Sequence, residues 1–115
     1  MKKIRSYFKE KKTYRLIKKS KYFDKDYYLN ELNKNEKSNK NLDLVEHYIK
    51  QGWKKGYNPS SEFNTNKYLK INKDIKESGI NPLEHYLKYG KKEKRKIDDS
   101  EVEIKTKTEI YKKGI

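Results

Sequence analysis

The chain has 115 residues, of which 31% are apolar and 42% charged, and its net charge is +14. This length suits one domain with or without tails, and the lack of cysteine excludes disulfides and cysteine-ligated metal sites. No apolar run approaches the roughly 18 residues of a membrane span, and no signal-peptide-like apolar segment follows the basic N-terminus. Eleven tyrosines and no alanine predict a small core rich in Tyr, Leu and Ile, with marginal stability.

Positive charge is concentrated at the N-terminus. Residues 1–21 carry ten Lys or Arg and one acidic residue, a balance of +9, whereas residues 22–90 carry twelve and ten, a balance of +2. A basic chain is typical of nucleic-acid binding. However, lysine supplies 28 of the 31 positive charges, and arginine, which forks onto phosphates and guanine edges, supplies three. An AT-rich genome would produce the same lysine bias without selection for charge.

The first predicted element is a basic helix or arm over residues 1–21. On a helical wheel one side mixes apolar and basic residues, which is a poor amphipathic pattern. That side holds Ile4, Tyr7, Phe8, Tyr14, Lys11, Arg15 and Lys18, while Leu16 lies opposite. We expect this helix to dock on the first of two repeats that follow it. The alternatives are an acidic protein, an anionic lipid surface or a nucleic acid, bound through Lys11, Lys12, Arg15, Lys18 and Lys19.

Two copies of a unit of about 40 residues follow, in the size range of helical repeats. Phe23–Asn35 reads "FDKDYYLNELNKN" and aligns with "FNTNKYLKINKDI" at an offset of 40. Val45–Tyr57 reads "VEHYIKQGWKKGY" and aligns with "LEHYLKYGKKEKR" at an offset of 38. The two extra residues of the first copy lie in "EKSNKNLD", where a loop would absorb them. The predicted repeat domain is 22–97, divided into 22–60 and 61–97.

Each copy predicts short helices that begin at caps. Asp24 and Asn64 are good N-caps, and a phenylalanine precedes each, where it can staple to the tyrosine five residues later. Asn72 is expected to cap a middle helix that Gly79 ends, whereas the first copy lacks a comparable helix. Twelve positions are expected to serve the packing of the repeat or to end its helices: Phe23, Tyr28, Leu29, His47, Tyr48, Gly52, Phe63, Tyr68, Leu69, His85, Tyr86 and Gly90.

The two histidines recur with the motif, at His47 and His85. A residue that repeats with a structural unit usually serves its packing, and neither histidine has a second histidine four residues on, as a zinc helix would. We therefore predict no catalytic residue, no metal site and no cofactor. Three aromatic residues fall at or beyond helix ends, off the apolar stripe: Trp53, Tyr57 and Tyr89. They are the candidates for contact with a protein partner or a glycan, and the alternative is that they complete a thin core.

The motifs "YFDKDYYLNEL", "HYIKQGWKKGYNPS" and "YLKINKDIKESGINPLEHYLKYGKKEKR" resemble a helical repeat of bacterial proteins that make cell-surface polysaccharides. In that family the repeat often lies upstream of a glycosyltransferase domain. The resemblance covers about two-thirds of the chain, from Ser20 to Lys96. The second copy departs from the family pattern at Lys73, where proline is usual, and in "GKKEKR", which lacks the tryptophan and the second glycine. The resemblance implies association with glycosyltransferases and does not make this chain one.

The sequence thus predicts an all-α protein with a basic helix, two helical repeats and an extended or disordered tail over residues 98–115. The predicted function is a non-catalytic interaction or scaffold module that binds a glycosyltransferase or a glycan. A small basic nucleic-acid-binding protein is the alternative, and a glycosyltransferase fragment inactive on its own is the third possibility. The expected location is cytoplasmic, with possible peripheral attachment at the inner face of the membrane.

Overall fold

The computed structural model describes residues 2–37 and 41–97, with side chains from Lys11 onwards. This part is all-α, as predicted, and contains no β-sheet. The helices are α1 (Lys2–Lys19), α2 (Lys25–Asn35), α3 (Leu44–His47), α4 (Thr65–Ile71), α5 (Lys73–Ser78) and α6 (Pro82–His85). A π-helical turn continues α3 over Tyr48–Gly52, and another continues α6 over Tyr86–Gly90. The predicted tail, residues 98–115, lies outside the described residues.

The predicted caps are confirmed where α2 and α4 begin. The Asp24 carboxylate accepts from the backbone N–H of Tyr27, and the Asn64 side chain accepts from that of Lys67. These bonds satisfy amide groups that a helix start leaves unpaired. The staples also form, because the Phe23 and Tyr28 ring centroids lie 5.5 Å apart. The corresponding distance in the second copy, from Phe63 to Tyr68, is 5.2 Å.

The middle helix distinguishes the two copies. In the second copy α5 ends at Gly79, which adopts the predicted left-handed conformation with φ 75°. In the first copy residues 36–37 and 41–43 are not helical, as expected. Asn72 precedes α5 but does not cap it with its side chain. Its amide instead donates to the carbonyls of Tyr68 and Lys96, which ties the end of α4 to the end of the repeat.

One aromatic cluster forms the core of both copies. It comprises Ile17, Phe23, Tyr28, Leu32, Val45, Tyr48, Tyr57, Phe63, Tyr68, Ile75, Leu83, Tyr86 and Ile97. Leu29, expected in the core, is 36% exposed. The reason is helical geometry, because Tyr28 and Leu32 are four residues apart on the buried side of α2, and Leu29 lies about 100° away. Its counterpart Leu69 is half-buried.

Helix α1 packs against both repeats, not only against the first as expected. Thr13 and Ile17 face inward and are buried. The Thr13 hydroxyl donates to Glu84 of α6 at 2.9 Å. The Tyr14 hydroxyl donates at 2.7 Å to Asp43, the residue that caps α3. The N-terminal helix therefore bridges the beginnings of two equivalent helices, one in each repeat.

A buried threonine joins the repeats directly. The Thr65 hydroxyl donates to the backbone carbonyl of Tyr57 at 2.7 Å. The Thr65 hydroxyl oxygen lies 3.0 Å from the hydroxyl of Tyr48. Since the Thr65 proton is donated to the Tyr57 carbonyl, the Tyr48 hydroxyl can donate to the Thr65 oxygen. The backbone N–H of Thr65 donates to the side chain of Asn58. The first turn of α4 is thereby fixed to the end of the first copy.

The two glycines expected to end helices have another role. Gly52 and Gly90 are the last residues of the π turns, and the chain continues past each in a right-handed conformation. A Cβ atom on Gly90 would lie 2.6 Å from the Tyr68 hydroxyl, and one on Gly52 would overlap the Tyr28 hydroxyl. Glycine is required here because a buried tyrosine from the neighbouring helix approaches the backbone closely.

We expect Gly52→Ala to lower the free energy of unfolding by about 1–3 kcal/mol, since the added methyl group overpacks a site closed by Tyr28. Urea denaturation would measure the change. Adding Tyr28→Phe removes the obstructing hydroxyl, so the glycine substitution should cost less in that background. An equal cost with Tyr28 and with Phe at this position would contradict this role for the glycine.

Candidate functional site

Each repeat contains a buried tyrosine–histidine pair. In the first copy the Tyr28 hydroxyl lies 2.6 Å from Nδ1 of His47. In the second copy the Tyr68 hydroxyl lies 2.9 Å from Nδ1 of His85. Burial raises the pKa of both tyrosines, so each hydroxyl keeps its proton and can donate it to the histidine. The pairs connect α2 to α3 and α4 to α6.

In the first copy a carboxylate completes the arrangement. Oε1 of Glu36 lies 3.3 Å from Nε2 of His47, while Oε2 accepts from the Tyr57 hydroxyl at 2.7 Å and from Lys55 at 2.9 Å. These hydrogen bonds, that from Tyr57 first, lower the pKa of Glu36 to about 2. Nε2 of His47 is buried and forms no hydrogen bond with the described residues, although the Glu36 carboxylate is its charged neighbour. A neutral imidazole with its proton on Nε2 would accept the Tyr28 hydroxyl proton at Nδ1.

In the second copy a carboxylate also lies beside the histidine, but different residues hold that carboxylate in place. Nε2 of His85 lies 3.7 Å from Glu93, which accepts from Nε of Arg95 at 2.8 Å. Arg95 also forms a two-pronged pair with Asp74, with both distances 2.8 Å. Arg95 occupies the position equivalent to Tyr57 of the first copy. In the first copy Tyr57 and Lys55 both bind Glu36. In the second copy Arg95 takes their place and binds two carboxylates, Glu93 and Asp74.

These pairs serve the fold rather than chemistry at the surface. Both histidines are buried, and each is enclosed by its tyrosine and a carboxylate. Within residues 2–37 and 41–97, no group of three or more His, Cys, Asp or Glu side chains could hold a metal ion. The packing role of the two histidines stays a prediction, and both side chains are buried.

The three candidate contact aromatics differ in exposure. Tyr57 is 8% exposed and its hydroxyl is bound to Glu36, so it belongs to the core. Trp53 is half-buried, and Lys54 lies over its ring at 6.0 Å. Tyr89 is 57% exposed, and its ring contacts that of His85 at 5.8 Å. Trp53 directly follows Gly52 and Tyr89 directly precedes Gly90. Tyr89 is therefore the exposed aromatic residue of the second π turn, whereas Trp53, just after the first π turn, packs partly against the core.

The five candidate anion-binding residues lie together on the outer side of α1. Lys11, Lys12, Arg15, Lys18 and Lys19 are the exposed residues between positions 11 and 19. Four of them border an open groove together with Tyr14. Arg15 and Lys19 form no ion pair with the described carboxylates, in contrast to Lys50, Lys55, Lys88 and Arg95 of the repeats. We name this surface the cationic face of α1.

A second basic surface lies between α4 and α5, and the sequence analysis did not identify it. An open groove there is lined by Asn66, Leu69, Lys70, Lys73, Lys76 and Glu77. Sequence reasoning also missed Thr13, Ile17, Thr65 and Glu36. None of these residues belongs to a motif. Only Ile17 offered a signal of burial, because it is an apolar residue within a basic helix.

Comparisons with protein-family models, with curated proteins and with solved structures found no match. In the described segments no helix has the length and apolar character needed to cross a membrane. The assignment of a role to this chain therefore depends on its own surfaces and on the resemblance of its repeated motif.

Acidification should weaken the fold through His85. Burial lowers the pKa of His85 below its ordinary value of 6.5, so the unfolded chain binds more protons than the folded chain between those two pKa values. This contribution is fully present above about pH 6.5 and is lost as the pH falls through the folded pKa. We expect the urea midpoint to decrease as the pH is lowered from about 7 to about 5.

His85→Gln is the matched variant, because it removes the titrating group and retains a polar side chain. Its urea midpoint should vary less with pH over the same interval. Glu36 contributes a separate loss only below pH 4.5, since its pKa is lowered from 4.5 to about 2. An unchanged pH dependence in His85→Gln would show that His85 does not cause the loss.

Proposed function

We propose that this chain is a non-catalytic interaction module that associates with bacterial glycosyltransferases of surface-polysaccharide synthesis. The resemblance of "FDKDYYL" and "NPLEHYLKYG" to the repeats of that machinery suggests the partner class. One observation supports a binding role. Both repeats enclose their histidines in the core, while an aromatic residue next to the glycine of each π turn remains accessible, half-buried at Trp53 and exposed at Tyr89.

Aromatic rings of this kind suit contact with a protein or a sugar. A partly exposed ring gives a large contact area at a low entropic cost, and its face can pack on a sugar ring or on another side chain. Trp53 follows Gly52 and Tyr89 precedes the equivalent Gly90, in two repeats that α1 and Thr65 bridge. A rigid pair of anchors of this type would position a glycosyltransferase, or hold a glycan beside one.

The alternative function is nucleic-acid binding through the cationic face of α1. One observation favours it, namely that Arg15 and Lys19 have no carboxylate partner among the described residues. Binding of this kind would be electrostatic and would weaken steeply as salt is raised. The two functions therefore differ in the residues they require and in their response to salt.

Affinity capture from a lysate of the native host, at low and high salt, tests the proposal. We expect the intact chain to retain a glycosyltransferase at high salt, and Trp53→Ala/Tyr89→Ala to reduce its recovery by about tenfold or more, as for loss of interface anchors. Ile80→Ala is the control, because it removes exposed apolar surface outside the two π turns. Its recovery should match that of the unsubstituted chain.

Mass spectrometry of the captured material separates the outcomes. A glycosyltransferase that depends on Trp53 and Tyr89 supports the proposal. Recovery of nucleic acid alone, lost at high salt or on substitution of Arg15, Lys18 and Lys19, would reject it in favour of the alternative. Equal loss of the glycosyltransferase in the Ile80→Ala control would reject the assignment of the aromatic anchors.

A further inference from the structure

The groove between α4 and α5 carries positive charge that its described neighbours do not compensate. Three exposed lysines line it, namely Lys70, Lys73 and Lys76. None of the three pairs with a described carboxylate, whereas Lys88 and Arg95 of the same repeat do. Among the described residues of the lining Glu77 alone is acidic, so three positive charges and one negative charge leave a balance of +2. The groove therefore favours an acidic occupant.

The last described residues of the chain are fastened beside this groove. Asn72, the residue between α4 and α5, donates from its side-chain amide to the Lys96 carbonyl at 3.1 Å. Arg95 is held to α5 by two bonds of 2.8 Å to one carboxylate. Ile97 is buried and belongs to the core. The chain therefore leaves Ile97 close to the junction of the two helices that form the groove.

The six residues that follow carry the densest negative charge in the sequence. Residues 98–103 read "DDSEVE", with four acidic residues and no basic one. Their charge of −4 is opposite in sign to that of the groove. Six extended residues reach at most about 20 Å, whereas α4, with seven residues, is about 10 Å long. The segment is therefore long enough to follow the groove from its junction with Ile97.

We propose that residues 98–103 bind in the groove between α4 and α5, with their carboxylates against its three lysines. In an extended segment alternate side chains share a side, so Asp99, Glu101 and Glu103 can face the groove together. The chain thereby covers its second basic surface with its own residues, and the cationic face of α1 is left as the open one. This inference does not depend on the proposed glycosyltransferase partner.

The attachment of this segment to the fold favours it over an acidic segment from elsewhere. Exposed ion pairs contribute little individually, so a free acidic peptide would bind such a groove weakly. A segment joined by a short connection has an effective concentration of about 1 mM or more, which a free peptide would have to match. A second copy of the chain is disfavoured by repulsion, since each copy carries a net charge of +14.

Carbodiimide cross-linking of the full chain tests the contact, because the reagent joins a carboxylate to a lysine amine only when the two groups touch. Peptide mass spectrometry identifies the joined residues, and a mixture of unlabelled and ¹⁵N-labelled chains separates links within one chain from links between chains. We expect links from residues 98–103 to the groove lysines to exceed those to the α1 lysines by at least about tenfold at low salt. They should decrease at about 0.5 M salt, which screens exposed charges.

The lysines of α1 are the internal reference, namely Lys11, Lys12, Lys18 and Lys19, since they are equally exposed and lie on another face. Lysines 91–96 are left out of the comparison, because they neighbour the segment in sequence. Links to α1 as frequent as those to the groove would overturn the proposal, and so would links that form only between chains. This measurement needs no variant, so it does not depend on whether substituted chains fold.

The amide chemical shifts of residues 98–103 test the same contact without a reagent. Lys70→Gln/Lys73→Gln/Lys76→Gln removes the charge of the groove and should move these shifts toward their values at about 0.5 M salt. Arg15→Gln/Lys18→Gln/Lys19→Gln is the matched control, because it removes the same charge from the cationic face of α1, and it should leave the shifts in place. Circular dichroism would verify that both variants keep their helix content. Equal movement in the two variants would reveal a general effect of charge and would overturn the proposal.

Discussion

The approach of a tyrosine hydroxyl to a histidine determines much of this structure. In each repeat the hydroxyl reaches across from one helix to Nδ1 of a histidine on the next, at 2.6 Å for Tyr28 and 2.9 Å for Tyr68. A buried polar group must find a partner, since leaving it unsatisfied costs about 1–3 kcal/mol. The pair therefore fixes both the distance and the rotation between the two helices.

The other repeated features follow from that contact. The hydroxyl lies against the backbone of the π turn, which is why glycine occupies positions 52 and 90. A carboxylate also lies near each Nε2, Glu36 at 3.3 Å and Glu93 at 3.7 Å, without a hydrogen bond to Nε2 of His47. The letters "EHY" and the glycine that follows recur because they form one physical unit. Aromatic residues supply seven of the thirteen residues of the described core.

The sequence allowed a good prediction of local structure and a poorer one of long-range contacts. Caps such as Asp24 and Asn64, and the left-handed Gly79, were predictable because a residue type and its neighbours determine them. The docking of α1 on both repeats was not, because Thr13 and Glu84 are 71 positions apart and neither belongs to a motif. The helical wheel of α1 misled for a related reason. It gave no weight to Ile17 or to Thr13, the two residues by which the inner side of α1 is buried.

The surface residues were predictable in type but not in role. The cations of α1 were identified by their number, and the structure adds that they cover one face. Tyr57 could not be distinguished from Trp53 and Tyr89, because its burial results from the hydroxyl bond to Glu36, a residue in a stretch without a pattern. Of these three, the two that remain partly exposed lie beside the glycines of the π turns.

The bridge from Thr13 to Glu84 also determines when the molecule can assemble. During synthesis α1 leaves the ribosome first, whereas Glu84 follows 71 residues later. A helix of this composition is unstable alone, and closing so long a loop is slow compared with forming local contacts. The first repeat can therefore form its tyrosine–histidine pair while α1 is still undocked. Completion of the second repeat then provides the other half of the α1 binding surface, so the N-terminal helix is the last of these parts to find its place.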